Sequence, residues 1–441
     1  MKMKILMLSQ YPWKKENSFG NTYSNIFGKI EGIEIAHIYL MDGRPDYEQV
    51  VSRYYQIPEK EVMRSCLKPF AKQRGAGHIV HLEDFRDESR AVADAGGHGG
   101  SLYGRLLRFG KRHHWNLMFF AREVAWKYGK VDYKGMMDFV EDFKPELFFL
   151  PFSNLYYTNR LALYIKEHYD VPMVMEMAMD HYSLKRVSYN PLFWLDRFGK
   201  RSMIRKLAKK SDKIYVISKR LKEELENSLN IPCEVLYKIP DVSRAAKPYE
   251  AVHNPIRFLF TGNIFANRWK SLQLLANALM ETGAGVLDIY TANPINKKIS
   301  KALNIEGVST IHKPVGQDKV IELQNDADVL VHAEGLDKKN KLLVRCAIST
   351  KIMDYLSVGR SILAIGPSDI ASIEYLNDNG LALSANSNEQ LLAIVNTIKT
   401  QPEVLLDYSK RGLDYVTSHL NATELRQEFY DSLVRTIISY K

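Results

Sequence analysis

Two short segments carry side chains whose types and spacing suit the handling of an anion. In Ser349-Thr350-Lys351-Ile352-Met353-Asp354, hydroxyls and an ammonium stand where a helix would begin. Free backbone N–H groups at such a start favour negative charge. Asp354 follows Thr350 by four residues, which places both on one helix face roughly 5–6 Å apart. A nucleotide's phosphate and its ribose hydroxyls have a similar separation. The plainer alternative is a capped helix whose Asp354 only complements the helix dipole. The second segment is Thr261-Gly262-Asn263-Ile264-Phe265-Ala266-Asn267-Arg268-Trp269-Lys270, between an apolar strand, 256–260, and a helix expected over 272–281. Arg268 and Lys270 stand near that helix start, where cations and backbone N–H groups together could hold a diphosphate.

Three further positions could do chemistry. Asp180-His181 follows the apolar strand 171–177, and a carboxylate beside an imidazole could order or deprotonate a hydroxyl; the alternative is a turn with a satisfied Asp180. Gly20 sits between the strand 4–9 and a helix expected over 21–29, where it would let a ligand approach the backbone or merely make the turn. Glu334 follows the strand 328–332 and is placed to face a cleft, whereas Asp326-Ala327-Asp328 leads into that strand and reads as an ordinary loop and strand start. His78, His81, His98, His113 and His114 are scattered without ligand spacing, so no metal is expected.

The elements that must position these residues alternate between strand and helix. Strands are expected over 4–9, 33–40, 146–150, 171–177, 213–218 and 233–237 in the first half. Others follow over 256–260, 285–290, 308–312, 328–332, 361–365 and 381–384 in the second. Each half opens with a strand, a glycine turn and a helix, the beginning of a parallel α/β sheet whose ligands bind beyond the carboxyl ends of the strands. At 441 residues the chain is long for one core, and the polar stretch 238–254, with Pro240 and Pro248, fits a linker. We expect one domain over 1–240, a second over 255–420, and a C-terminal helix, 421–441, packing back on the first. From Arg44 to Tyr133 the pattern blurs, and Ala93-Asp94-Ala95-Gly96-Gly97-His98-Gly99-Gly100 reads as a mobile loop.

Composition narrows the classes. No run of about 18 uncharged apolar residues exists, so no spanning helix is expected. The basic, apolar N-terminus leads into Tyr11-Pro12-Trp13 rather than a small-residue cleavage site, and reads as a first strand of a cytoplasmic protein. Three well-separated cysteines, Cys66, Cys233 and Cys346, match neither a disulfide framework nor metal spacing and suit a reducing compartment. The net charge of +10 admits acidic partners of several kinds. It is concentrated between Phe193 and Lys213, where eight cations alternate with Trp194, Leu195, Phe198, Ile204 and Leu207. That pattern is a basic amphipathic helix, either resting on anionic lipid or simply a solvated face. A helix expected over 102–126, with Trp115, Phe119 and Phe120, would add to the same surface.

Taken together, these segments resemble the GT-B glycosyltransferases of family 4, found among bacterial surface-polysaccharide enzymes. The resemblance rests on Gly262-Asn263, Arg268-Trp269-Lys270-Ser271-Leu272 and Val329-Leu330-Val331-His332-Ala333-Glu334. It rests also on Ser349-Thr350-Lys351, Asp354-Tyr355-Leu356, Gly359 and Ala364-Ile365-Gly366-Pro367, and in the first half on Asp212 to Ser218 and Met179 to Tyr182. It implies an α/β chain of two Rossmann-like domains facing across a central cleft, and transfer of a sugar from a nucleotide-sugar to a saccharide or lipid-linked acceptor. Transfer in that family is retaining and needs no metal or other cofactor; no nucleic acid is a partner. Asp354 falls where the family has a Glu on the ribose hydroxyls, Arg268 where a cation neutralises the diphosphate, and Ser349, Thr350 and Lys351 would serve phosphates or sugar. Asp180 or His181 would guide the acceptor, Lys270 would assist the leaving group, and Gly20, Asn263 and Glu334 would line the donor side. The chain departs from the family at Cys346, where a Glu is usual, and at Asn263, where an Arg is usual. Those departures leave open an epimerase of the same fold or a non-catalytic nucleotide-sugar-binding subunit.

Overall fold

The structure, a computed structural model, describes residues 2–14, 17–46, 49–67, 74–81, 116–245 and 249–440. The glycine-rich stretch 93–100, residues 102–115 of the expected helix, and His98, His113, His114 and Pro248 lie outside the described residues.

The first half begins with β1 (Met3–Ser9), α1 (Ser18–Phe27), β2 (Ile33–Tyr39), β3 (Val51–Gln56), α2 (Glu59–Leu67) and β4 (His78–Val80). It continues with α3 (Asn116–Tyr128), α4 (Tyr133–Phe143), β5 (Leu147–Pro151), α5 (Tyr156–His168) and β6 (Met173–Met177). It closes with α6 (Pro191–Lys210), β7 (Lys213–Val216), α7 (Lys219–Leu229) and β8 (Glu234–Val235). Its sheet runs β4-β3-β2-β1-β5-β6-β7-β8, parallel except for the antiparallel pair β3 and β4. Those two strands fall where the sequence pattern blurs. β3 reads Val-Ser-Arg-Tyr-Tyr-Gln with two exposed polar residues, so neither an apolar run nor a clean alternation announces it.

The second half holds β9 (Ile256–Thr261), α8 (Arg268–Thr282), β10 (Gly285–Tyr290), α9 (Lys297–Leu303), β11 (Ser309–His312) and α10 (Gln317–Asp326). There follow β12 (Val329–Ala333), α11 (Lys338–Val344), α12 (Thr350–Val358), β13 (Ser361–Ile365), α13 (Ala371–Asp378) and β14 (Leu383–Ala385). Three helices end the chain: α14 (Asn388–Thr400), α15 (Val404–His419) and α16 (Ala422–Tyr440). The six strands pair in parallel in the order β11-β10-β9-β12-β13-β14. Helices cover both faces, so β12 and β13 are buried at every residue and read as apolar runs interrupted only by His332 and Ser361.

In both sheets the strand order reverses beside the first strand, between β1 and β5 and between β9 and β12. Loops part at such a point and leave a crevice at the carboxyl ends of the strands. The two halves meet through an apolar cluster that includes Val216 and Leu221 on one side and Ile352, Leu356 and Ile373 on the other. The end of the chain returns to the first sheet: Phe429 of α16 packs edge-on against Phe27, 5.3 Å between ring centres, and Tyr215 Oη lies 2.7 Å from Ser432 Oγ.

Candidate functional site

A cavity of about 660 Å³ opens at the reversal point of the second sheet. Asn17, Ser18 and Asn21 at the start of α1 bound it from the first half, and Gly262, Asn263, Thr350, Lys351 and Asp354 from the second. The loops after β10 and β11, Arg244, and Gln317, Val320, Ile321 and Gln324 of α10 supply most of the remaining wall.

Gly262 ends β9 with φ +135°, a backbone conformation that side chains rarely allow. A Cβ there would also lie 1.7 Å from Lys351 Nζ, so the glycine makes room for that ammonium. Asn263 Oδ1 accepts from the Phe265 N–H at 2.7 Å, and Ala266 and Asn267 take left-handed conformations before α8 begins. The helix starts at Arg268, four residues earlier than the apolar spacing suggests, which brings Arg268 and Lys270 into its first turn. There they part. Arg268 forks back onto Glu334, Nε to Oε2 at 2.9 Å and Nη2 to Oε1 at 2.7 Å, and Glu334 is buried. Lys270 points outward with its ammonium 5.8 Å above the Trp269 ring and does not line the cavity.

Across the cavity, α12 presents a bare N-terminus. Ser349 occupies the cap position but makes no side-chain cap hydrogen bond. Lys351, the second residue of the helix, has no hydrogen bond or ion pair among the described residues; its ammonium lies 5.5 Å from the Phe260 ring centre. Burial, with the nearby Arg268 adding to it, brings its pKa down to about 8. An unpaired cation beside uncapped helix N–H groups is a place for an anion.

Asp354 is not free as a sequence reading would leave it. Its Oδ1 takes Lys238 Nζ at 2.6 Å and Arg244 Nη1 at 2.7 Å. Lys238 is almost fully buried and also donates to Asn21 Oδ1 at 2.5 Å. Burial lowers its pKa, and Asp354 opposes that. The segment expected to be a polar linker is therefore pinned at its start between α1 and α12; the Asp241 N–H adds a bond to Ser357 Oγ at 2.8 Å. Nothing in the local sequence distinguishes Lys238 from the chain's other lysines.

The remaining positions divide. Gly20 lies inside the first turn of α1, not in a turn before it, and does not line the cavity. A Cβ there would lie 2.0 Å from the Lys14 carbonyl oxygen, so its missing side chain admits the chain at Lys14 rather than a ligand. Asp180 is saturated: it accepts from the N–H groups of Tyr182 and Ser183, from the Ser183 hydroxyl and from Arg345 Nη2 at 2.7 Å. Burial alone would raise its pKa, but the Ser183 and Arg345 hydrogen bonds outweigh it and hold the value at about 2. Arg345 also grips Glu224 of α7, and Ser218 Oγ donates to the Cys346 carbonyl at 2.7 Å. Asp180 thus braces the two halves together, the physical reason it is not free to accept a proton from a substrate. His181 is kept neutral, its pKa lowered to about 4 by burial and by Lys200 and Arg197, with its ring centre 5.6 Å from that of Phe152. Asp328, in the superficial D-x-D, is fully buried and accepts from His253, Tyr249 and the Arg257 N–H.

Besides Lys238, the expectations from sequence leave out Glu176. Glu176, the next-to-last residue of β6, is buried and accepts from Tyr23 Oη at 2.8 Å. Burial raises its pKa to about 7 against the lowering effect of that bond. The signal was present, since it is the only charged residue in Met173-Val174-Met175-Glu176-Met177.

Two largely parallel α/β sheets whose carboxyl ends bound a shared cleft define the GT-B fold. Solved structures bear this out along the whole chain. Anabaena HepE in complex with UDP and glucose is 10% identical, with 98% of this chain and 100% of that one covered at TM-score 0.59. Sucrose-phosphate synthase from Thermosynechococcus elongatus is 9% identical, with 100% of both chains covered at TM-score 0.61. The E. coli trehalose-6-phosphate structure bound with UDP-2-fluoro glucose is 9% identical, with 98% of both covered at TM-score 0.59. At such identities the likeness is one of fold. No protein-family model and no curated protein matches the sequence.

Proposed function

We propose that the protein is a glycosyltransferase, moving a sugar with retention from a nucleotide-sugar to a hydroxyl of a saccharide or lipid-linked acceptor. Its setting would be the cytoplasmic side of cell-surface polysaccharide synthesis. The observation that supports this most is the unpaired Lys351 ammonium at the uncapped start of α12, facing a cavity of about 660 Å³. That volume suits a ligand of nucleotide-sugar size.

In this reading Lys351, Ser349, Thr350 and the α12 N–H groups take the diphosphate and stabilise its charge as the sugar leaves, without a metal. Arg268, aligned by Glu334, adds positive charge beside Lys351. Asp354 is held by two cations through Oδ1, and in this reading Oδ2 takes a ribose hydroxyl. Asn263 is left to the donor, and His181, neutral and without a hydrogen bond among the described residues, to the acceptor hydroxyl. Asp180 acts only by holding the His181 loop, and Lys270 remains a surface cation.

Chains of this fold have been solved with UDP and UDP-glucose, so UDP-sugars are the first donors to test. A calorimetric and thermal-shift screen of UDP-, GDP- and ADP-sugars is expected to single out one nucleotide, with slow donor hydrolysis in the absence of acceptor. No binding by any of them would refute the donor site. Conversion of a donor to its epimer would replace transfer by epimerisation.

A further inference from the structure

Of the eighteen large apolar side chains exposed among the described residues, seven lie between positions 179 and 198. Such crowding marks an interaction surface rather than the usual scatter of single apolar residues. Leu184, Val187 and Tyr189 stand out from the loop after β6, with Val187 76% and Tyr189 fully exposed. Leu192, Leu195 and Phe198 continue the patch along the first half of α6.

The second half of α6 turns Ile204, Leu207 and Ala208 into the core. Helical spacing therefore carries the outward stripe from Leu195 and Phe198 on to Lys206 and Lys209. Both lysines are exposed and make no ion pair among the described residues. Arg186, beside the loop residues, has no carboxylate partner among them either; its guanidinium lies 5.8 Å from the Phe193 ring centre. One face thus offers apolar tips at one end and uncommitted cations along the rest.

We propose that the 184–198 segment and the outward stripe of α6 form a docking surface for an anionic lipid bilayer. Apolar tips enter the boundary between headgroups and acyl chains while the cations meet lipid phosphates. Trp194, half-buried with its indole N–H on the Ser188 carbonyl at 2.8 Å, fixes the loop against the helix so that the tips project together. The sequence pattern alone spreads this role over the whole basic helix; the structure confines the apolar part to its first half and the preceding loop. Because α6 starts at the carboxyl end of β6, the end of the sheet that faces the cleft, docking brings the cleft rim to the membrane. The inference deepens the lipid-linked-acceptor reading, but vesicle binding is measured without turnover, so either can fail alone.

The test is co-sedimentation of the full chain with vesicles of phosphatidylglycerol and phosphatidylcholine, and with phosphatidylcholine vesicles. Binding is expected to the anionic vesicles, at least about tenfold weaker to the neutral ones, and reduced at about 0.5 M salt. Leu195→Asp with Phe198→Asp, and separately Lys206→Glu with Lys209→Glu, should each weaken binding at least about tenfold with unchanged circular dichroism and melting temperature. Failure to sediment with anionic vesicles overturns the proposal. So does either folded double variant binding like the parent. If light scattering shows a dimer that Leu195→Asp with Phe198→Asp dissolves, while vesicles are ignored, the surface belongs to a second copy and the proposal falls.

Discussion

Replacing Lys351 by Met removes one charge and keeps most of the side chain's bulk, and its effect on a nucleoside diphosphate can be worked from the geometry. A unit charge about 4 Å from a phosphate oxygen, at an effective dielectric near 20, attracts it by about 4 kcal/mol. Part of that is offset when the phosphate sheds water, and a charged hydrogen bond retains about 1.5–3 kcal/mol net. Lys351 is already unpaired in a partly buried site, so its own desolvation is met before the ligand arrives. The variant should therefore bind UDP about 10- to 150-fold more weakly. Uridine, which has no diphosphate, should change by no more than about twofold. Isothermal titration of both ligands on both proteins separates a lost charge from a damaged pocket. The pH dependence supplies a second signature. Only the protonated amine attracts the diphosphate, so UDP affinity of the parent should start to fall as pH rises through about 8, while the variant shows no such fall. Equal losses for uridine and UDP, or an unchanged UDP affinity, would refute the reasoning.

Arg268→Ala should abolish transfer, but it also strands the buried Glu334 carboxylate, so a loss of about 3 kcal/mol in urea unfolding is expected, recovered in part by adding Glu334→Gln. The fork onto Glu334 is the reason this substitution costs stability as well as transfer. Glu176, whose pKa is raised to about 7, favours folding while protonated. The parent should thus lose roughly 3 kcal/mol of stability as pH rises from its unfolded value, near 4.5, through about 7, and Glu176→Gln should lack that slope in unfolding titrations at stepped pH.

The alternation of strand and helix was legible because strands buried on both faces are mostly apolar, as β12 and β13 are apart from His332 and Ser361, and because a glycine turn follows β9. The cavity-lining Gly262, Asn263, Thr350, Lys351 and Asp354 could be picked out for the same local reason: all sit at the carboxyl end of a strand or the first turns of a helix. What stayed hidden depends on pairs far apart in the chain. Asp354 and Lys238 are 116 positions apart, and Asp180 and Arg345 are 165 apart. No local pattern reports that a carboxylate is already spoken for. The early start of α8 was hidden differently, because Arg268-Trp269-Lys270 lacks the apolar spacing by which the rest of the helix is recognised.

The shared ammonium of Lys238 has a thermodynamic corollary. It holds Asn21, from the first half, and Asp354, from the second, both at the cavity wall, in hydrogen bonds of 2.5 and 2.6 Å. Parting the two halves must break one of these bonds, leaving either the amide or the carboxylate to find another partner. The closeness of the two halves and the electrostatics of Asp354 are then linked functions, and linkage runs both ways by the same factor. Whatever ligand gains from a properly held Asp354 must, to that same degree, draw the two halves shut.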